Sequence, residues 1–359
     1  MPSGHVLSLY LFEIGDAVDL PALGTLVGSS VAAPLTSRPS NPPSLQYQQP
    51  PVIVDVATIG LGAAGAQRIR LTVYDYGVIS VGFTEPLPPS WEQMIELGPR
   101  WQDNPRIVAD AERCCRELVR RIGSAITAPR STYLWEDYVI YVITRPEDGA
   151  ADALLAARGP AIAQLLRGER ETLSAQERDE VLRHRISYYA SDIVIATWSS
   201  ALVYDSEAGA QSSVEILEFA NSQLLQFRYY DQLLDGELAR IYAQLQQDGW
   251  RQNWAGRRYT RAARHVHSLF IDVNELTDRT ENALKIAGDV YVARLFATTA
   301  ARLGLEQWRG NVREKLKTLD DIYRFAVEHA AMSRGELLEL TVVILILLEL
   351  VLLLVTGMH

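Results

Sequence analysis

The chain has 359 residues, of which 34 are Lys or Arg and 44 are Asp or Glu, so its formal net charge is −10. A duplex partner requires clustered cations that displace counterions, and this acidic balance therefore excludes a general nucleic-acid binder and a specific DNA partner. Since 48% of the residues are hydrophobic and 22% are charged, the chain can bury a large core, and its length suits two domains rather than a disordered polymer.

Residues 1–204 are predicted to form a mixed α+β domain built on a sheet. Segments rich in Val, Ile and Tyr predict strands at His5–Ile14, Val52–Ile59, Arg68–Asp75, Val78–Phe83, Leu134–Ile143 and Ile193–Tyr204. Helical periodicity and capping residues predict helices at Leu20–Val27, Trp91–Leu97, Pro105–Ile122, Ala150–Leu166 and Ala175–Arg183. The residues Asp75, Tyr76 and Gly77 predict a hairpin turn. The proline-rich stretch 33–51 predicts a loop, because proline lacks an amide donor and biases the preceding residue away from helix.

Residues 205–334 are predicted to be a helical coiled-coil region. Ser212 and Glu215 have the spacing of a capping box. Steps of three and four then predict a heptad seam, which consists of Leu217, Leu224, Phe227, Asp231, Leu234, Leu238, Ile241 and Leu245. Further seams in 266–290 and 305–326 indicate a long antiparallel hairpin or bundle. Asp231 stands where an apolar residue is expected, and it either marks the edge of the seam or sets the register by pairing with Arg228 or another helix.

The segment 335–357 is strongly apolar and predicts one carboxy-terminal transmembrane helix. Its 21 residues from Leu337 to Gly357 would span roughly 31 Å as a helix, which matches the hydrocarbon core of a bilayer. Basic residues precede the segment and none follows it, so the soluble part is expected on the cytoplasmic side of a bacterial inner membrane, or on the matrix side if mitochondrial. This pattern is typical of a single-pass, tail-anchored protein. Glu349 would lie near the midplane, where it either mediates self-association or remains a protonated or snorkelling acid.

A basic and aromatic cluster follows the first predicted seam and consists of Trp250, Trp254, Arg257, Arg258, Arg261 and Arg264. Three interpretations remain open. The cluster contacts lipid headgroups at the bilayer surface, it binds RNA or protein through stacking and phosphate contacts, or it is a solvated turn.

The sequence contains no catalytic constellation, and we expect no catalytic residue, cofactor or metal. Gly60, Gly62 and Gly65 have the spacing of the dinucleotide fingerprint, but a predicted strand follows them where the fingerprint requires a helix. His265 and His267 are two residues apart, so on a helix they do not share a face. Cys114 and Cys115 are the only cysteines, and two neighbours supply neither a disulfide framework nor a four-ligand zinc site.

The carboxy-terminal third resembles the family called required for meiotic nuclear division, together with the yeast sporulation proteins and the septum-related Sif proteins. The residues that carry the resemblance are Asn311–Leu316, Leu338–Glu339 and the apolar run Val342–Glu349. The resemblance implies a membrane-anchored homo-oligomer without established catalysis. It also implies a possible ribosome or RNA contact, because mitochondrial relatives support translation at the inner membrane.

Two functions follow from these observations. The first is a non-enzymatic, tail-anchored membrane scaffold that homo-oligomerises and tethers ribosomes or another complex to the lipid bilayer. The alternative is an enzyme or RNA-acting domain in the amino-terminal half, which the membrane anchor localises.

Overall fold

The computed structural model describes residues 3–27, 49–55, 68–102, 104–145, 149–247, 268–275 and 290–324. The chain divides into two compact units. Unit 1 comprises Met1–Tyr229 and Leu276–Trp308, and unit 2 comprises Tyr230–Glu275 and Arg309–His359. The predicted mixture of α and β structure is confirmed.

Unit 1 is built on a large mixed sheet. Its strands and a separate short pair are β1 Ser3–Glu13, β2 Ala17–Val18, β3 Val52–Asp55, β4 Arg68–Val73, β5 Val78–Pro86, β6 Ile126–Thr127, β7 Trp135–Thr144, β8 Arg185–Ile186, β9 Ile193–Ala196 and β10 Ser200–Asp205. The large sheet has the order β3-β4-β5-β1-β7-β10-β9-β8, and β2 pairs with β6. Neighbouring strands are antiparallel except for β7 and β10, which run parallel.

The predicted strand Ile193–Tyr204 is divided into two strands by a turn. The amide of Thr197 donates to the carbonyl of Ser200 at 2.8 Å, and the amide of Ser200 donates to the Thr197 hydroxyl at 3.1 Å. Because these side chains bond locally, they stop the ladder where strand propensity alone predicts that it continues.

The predicted hairpin turn at Asp75–Gly77 joins β4 to β5. Gly77 has a φ of +79°, and a Cβ at this position would lie 1.8 Å from the carbonyl oxygen of Gly15. Glycine is therefore required both by the backbone conformation and by the close approach of another segment.

The described helices are α1 Leu20–Val27, α2 Trp91–Gln102, α3 Pro105–Ile122, α4 Ala151–Arg167, α5 Ala175–Arg183, α6 Glu207–Gln247, α7 268–275, α8 Val290–Arg302 and α9 305–324. Helix α3 begins at the predicted proline, because the Asn104 side chain accepts from the amides of Arg106 and Ile107. The Ser174 hydroxyl caps α5 as predicted, by accepting from the amide of Glu177 at 3.2 Å.

Helix α6 begins before the predicted capping box. The hydroxyl of Ser206 accepts from the amide of Gly209 at 3.2 Å, so Ser206 caps the helix and Ser212 lies within it. An added Cβ at Gly209 would lie 2.0 Å from a carboxylate oxygen of Asp205, so the Asp205 side chain would have to move to accommodate it.

The two faces of the sheet pack against different helices. Side chains alternate along β1, so Tyr10 and Phe12 join a core with Leu118 of α3. On the same face, Val6 joins a second core with Leu165 of α4.

The opposite face, to which Leu7, Leu9 and Leu11 belong, packs against α6. Every residue of α6 from 212 to 227 is buried. Helix α8 covers another side of α6, where the Phe296 ring lies 5.8 Å from the Phe219 ring. Because this part of α6 is buried on all sides, it is an interior element of unit 1.

Unit 2 is helical in the residues that the structure describes. Its buried apolar side chains are Leu234, Ile241, Leu269, Val273, Val312, Leu316 and Leu319. Lys315 of α9 contacts Asp231 of α6 at 2.7 Å, and Tyr323 of α9 forms a hydrogen bond with Arg240 of α6. From the first contact to the second, the residue number rises along both helices, so α6 and α9 run parallel here.

We correct the prediction that the chain is a tail-anchored membrane protein. In the part of the chain that the structure describes, no helix combines the length and apolar character needed to cross a bilayer. The segment 335–357 and Glu349 lie outside the described residues.

Candidate functional site

The predicted seam is largely buried within the single chain. Leu217, Leu224, Phe227, Leu234 and Ile241 are buried and Leu238 is half-buried, while Leu245 lies near the end of α6. Their apolar surface is therefore covered by other parts of the same chain. The seam thus serves internal packing in both units.

Asp231 pairs with another helix, which was one of the two predicted roles. Its carboxylate and that of Asp235 each lie 2.7 Å from the Lys315 ammonium group. Burial by itself opposes the charge of Lys315, but the hydrogen bonds that its ammonium group donates to both aspartates raise the pKa of Lys315. These ion pairs join one turn of α6 to a single residue of α9, Lys315.

The other sequence-predicted site residues lie outside the described residues. They are Trp250, Trp254, Arg257, Arg258, Arg261, Arg264 and Glu349. The glycines at 60, 62 and 65, the histidines at 265 and 267 and most of the proline-rich stretch 33–51 also lie outside them.

The described residues contain a buried polar cluster that the sequence analysis did not identify. This Glu13 cluster consists of Glu13, Asp16, Arg130, Gln226 and Tyr229. Glu13 ends β1 on the face that packs against α6, and only 1% of its surface is exposed. Arg130 Nη2 donates to Glu13 Oε1 at 3.1 Å, and Gln226 Nε2 of α6 donates to Glu13 Oε2. One carboxylate thus connects β1, the β6–β7 loop and α6.

Arg130 is held from several directions. Its backbone amide donates to the carbonyl of Ile14 at 2.9 Å, and its guanidinium also donates to the exposed carboxylate of Asp16. The guanidinium carbon lies 4.4 Å from the centre of the Tyr229 ring, within the range of a cation–π contact. Arg130 is therefore fixed between two acids and an aromatic ring.

The loop that carries Arg130 contains a strained residue. Ala128 has a φ of +47°, which is uncommon for a residue with a Cβ. Its carbonyl accepts from Arg130 Nη1 at 3.1 Å, so the unusual backbone helps to hold the guanidinium. Strain of this kind persists only where the surrounding structure over-determines it.

The electrostatics of the cluster are dominated by burial. Burial raises the pKa of Glu13 to about 8, although Arg130 and the Gln226 amide act in the opposite direction. Burial also raises the pKa of Tyr229 to about 12. Burial therefore opposes the charge of Glu13, which Arg130 and Gln226 favour, whereas the Tyr229 hydroxyl stays protonated near neutral pH.

A second polar region lies where β3 and β4 meet α6. The residues around this Arg70 cleft are Pro51, Ile53, Arg70, Thr72, Tyr74, Glu215 and Glu218, and the cavity between them has a volume of about 10 Å³, which is room for about one water molecule. Arg70 Nη2 contacts Glu218 Oε2 at 2.7 Å. Burial raises the pKa of Glu215, which accepts a hydrogen bond from Gln211 at 3.0 Å. One cation and two carboxylates therefore line this cleft.

Within the described ranges, no group of three or more His, Cys, Asp or Glu side chains could hold a metal ion. Cys114 and Cys115 of α3 are buried and free. Burial raises the pKa of both thiols, so neither has the thiolate character of a reactive cysteine.

The sequence analysis missed the Glu13 cluster because its members are far apart in the chain. Arg130 and Gln226 are separated from Glu13 by 117 and 213 positions. The signal that was present is the acid at the end of the apolar run of β1, on the face shared with Leu9 and Leu11. An acid at such a position requires a partner when the face is buried.

The fold and these clusters define a mixed α/β protein in which a long helix is held to one face of the sheet by buried ion pairs and hydrogen bonds. The chain belongs to the family described as "Uncharacterized protein MJ0711, N-terminal domain", whose model matches residues 3–211. The matched region contains the whole large sheet and the beginning of α6.

The chain is similar to "Uncharacterized protein MJ0711" of Methanocaldococcus jannaschii, to which it is 28% identical over 220 residues. The match covers 60% of this chain and 65% of the relative, so the chain spans less than two thirds of that protein. No solved structure matches the chain. The resemblance to the required-for-meiotic-nuclear-division family stays a prediction.

Proposed function

We propose that the chain is a non-enzymatic scaffold that associates with further copies of itself through the helices of unit 2. The observation that carries this proposal is a set of large apolar side chains on those helices. Tyr242 of α6 and Phe270 and Ile271 of α7 are 51%, 48% and 52% exposed, respectively. Where large apolar side chains are exposed together, a partner covers them in many assemblies.

The burial pattern of α7 supports a role for its outer face. Leu269 and Val273 are buried, whereas the neighbouring Phe270 and Ile271 point to solvent. One face of the helix therefore serves the core of unit 2, and the other presents an aromatic and a branched aliphatic side chain. Aromatic residues at such positions contribute strongly to interfaces.

The proposal includes the arrangement of the long helices. α6, α7 and α9 form an antiparallel succession, which is supported by the parallel contacts of α6 with α9, because the first and third helices of such a succession run in the same direction. The resemblance to the meiotic nuclear division family suggests a ribosome or RNA as the larger complex that the scaffold holds.

Sedimentation of the full-length protein tests the proposal. We expect the double variant Phe270→Asp, Ile271→Asp to raise the dissociation constant for self-association by about tenfold or more, which corresponds to roughly 1.4 kcal/mol. The matched control is Leu26→Asp, since Leu26 of α1 is 45% exposed and lies in unit 1. A monomeric wild-type protein, or equal self-association of all three proteins, would contradict the proposal.

A second candidate function rests on the Arg70 cleft. An amino-terminal domain that binds RNA would use the partly exposed Arg70 guanidinium to contact a phosphate. Single-stranded RNA or a nucleotide should then raise the thermal unfolding midpoint of the wild-type protein, and Arg70→Gln should reduce this rise. An unchanged midpoint with both ligands would count against the candidate.

A further inference from the structure

Two neighbouring tyrosines of the β8–β9 loop, residues 187–192, present their rings to solvent at one edge of the large sheet. Tyr188 and Tyr189 are 55% and 57% exposed. Their ring centres lie 4.7 Å apart with nearly perpendicular planes, and the Tyr188 ring also lies 5.5 Å from the ring of Tyr291 of α8. The rings of Tyr188 and Tyr189 therefore form one exposed aromatic surface.

A buried acid fixes the backbone beneath these rings. Asp192 is buried, and its two carboxylate oxygens accept from the backbone amides of Tyr188 and Tyr189 at 2.8 and 2.7 Å. The carbonyl of Ala190 in the same loop accepts from the amide of Ala151 at the start of α4 at 3.0 Å. Burying a charge is costly unless hydrogen bonds satisfy it, and here the bonds that satisfy Asp192 hold the loop conformation.

Tyr291 attaches the same surface to the interior of unit 1. Its side chain is buried, and its hydroxyl forms a hydrogen bond with Ser213 of α6, which is also buried. The loop is thus held by contacts with α4 and α8, and α8 is in turn held by α6. A ligand that binds the two exposed rings would therefore order little additional chain, which favours binding.

Two cations accompany the aromatic surface. Arg185 lies on β8, three residues before Tyr188, and Arg294 lies on α8, three residues after Tyr291. Both arginines are exposed, and neither forms an ion pair with an acid in the part of the chain that the structure describes. Their charges are therefore available to an anionic ligand.

The acids around this surface are already engaged. The carboxylate of Asp192 accepts from the two loop amides, and that of Asp205 at the end of β10 lies 3.8 Å from Arg145. Glu180 of α5 contacts two arginines. The surface therefore complements negative charge, although the whole chain has a net charge of −10.

We propose that this surface binds a nucleotide unit, whose base stacks on Tyr188 or Tyr189 and whose phosphate contacts Arg185 or Arg294. Every base has a π-face that can stack on an aromatic side chain, and the guanidinium group of arginine matches the geometry of phosphate. A free nucleotide and single-stranded RNA both supply such a unit. An added peptide strand fits less well, because β8 has only two residues and offers few backbone hydrogen bonds to it.

This binding surface is separate from the features on which the proposed functions rest. It lies within unit 1, so it does not depend on self-association through unit 2. The strand order places β8 and β9 at one edge of the large sheet, whereas β4 with Arg70 lies near the other edge. Binding here should therefore be unchanged by Arg70→Gln.

Fluorescence anisotropy of a labelled polyuridine RNA of eight nucleotides, with UMP as competitor, tests the proposal on the full-length protein. We expect Tyr189→Leu to raise the dissociation constant about tenfold or more, because stacking on an aromatic ring contributes about 1–3 kcal/mol per base. The matched control Trp198→Leu removes another exposed ring, which is 69% exposed in the β9–β10 turn, and it should bind as the wild type does. Arg185→Gln combined with Arg294→Gln should weaken the dependence of binding on salt.

The two sources of the nucleotide give different results. Displacement of the RNA by UMP would identify a free nucleotide as a ligand, and binding of the RNA without displacement by UMP would identify the strand. Either result supports the proposal if Tyr189→Leu weakens binding. Displacement of the RNA by inorganic phosphate as effectively as by UMP would overturn it, because the base would then contribute nothing.

Photo-cross-linking of the wild-type protein to an iodouridine-containing RNA gives a readout without a substitution. Mass spectrometry should locate the cross-link at Tyr188 or Tyr189. Cross-links confined to other residues, or the absence of RNA and UMP binding at millimolar concentration, would overturn the proposal. Binding that Arg70→Gln abolishes and Tyr189→Leu leaves unchanged would also overturn it, and it would assign the ligand to the Arg70 cleft.

Discussion

At the scale of single residues, the strained backbone of Ala128 supports the contact of Arg130 with Glu13, which is far away in the chain. Its positive φ places a residue with a Cβ in the left-handed region, and the loop retains this conformation to present Arg130 to Glu13. Glycine adopts the same conformation without the steric penalty. We therefore expect Ala128→Gly to raise the free energy of unfolding by up to about 1 kcal/mol, as measured by urea unfolding.

The control for this prediction is a glycine in an ordinary helical position. Ala157 is an exposed residue of α4. Ala157→Gly should lower the free energy of unfolding by about 0.5–1 kcal/mol, because glycine loses more backbone entropy in a helix. Two destabilising substitutions would show that Ala128 is not strained.

At the scale of elements, the contact of Lys315 with two aspartates sets the register of α6 against α9. The side chain of Asp231 is 15% exposed, whereas that of Asp235 is 60% exposed. Solvent screens the contact of Lys315 with Asp235 more strongly, so the contact with Asp231 should contribute most of the coupling energy. In double-mutant cycles with Lys315→Met, we expect a coupling energy of about 1 kcal/mol with Asp231→Asn and less than half of this with Asp235→Asn.

Chemical denaturation of the full-length protein gives these coupling energies, provided that the unfolding of unit 2 is followed separately by a probe within it. Equal coupling for both aspartates would mean that the depth of burial does not decide the strength of this contact. A coupling energy near zero for Asp231 would remove its role in the register.

At the scale of the whole molecule, one of the two faces of the sheet in unit 1 depends on α6 for its burial. A fragment that ends at residue 211 retains the family-matched region but only the first residues of α6. The face that carries Leu7, Leu9 and Leu11 would then be open to water, at a cost of about 2 kcal/mol for each large side chain. We expect this fragment to lose the cooperative thermal transition that a fragment ending at residue 308 retains.

Circular dichroism during heating and the binding of a hydrophobic dye distinguish the two fragments. The longer fragment includes α8, whose Val292, Leu295 and Phe296 are buried. A cooperative transition of the shorter fragment at the same midpoint would show that the sheet is stable without α6. The family-matched region would in that case be a complete folding unit.

The sequence by itself determined most of the secondary structure of unit 1, because the signals involved are local. The helix Pro105–Ile122 is predicted from its own proline and periodicity, and the strand β1 from its own apolar residues. The turn at Asp75–Gly77 likewise depends on three adjacent residues. Each of these predictions uses interactions between residues that are close in the chain.

Only the tertiary structure decided which surfaces these elements share. The spacing of Leu217, Leu224 and Leu234 shows that one side of α6 is buried, but the same spacing suits a partner chain, a neighbouring helix or a sheet. The burial of every residue from 212 to 227 shows that this part of α6 lies in the interior of unit 1. The Glu13 cluster was likewise decided by the tertiary structure. A buried acid acquires its pKa and its partners only when segments more than 100 positions apart fold together.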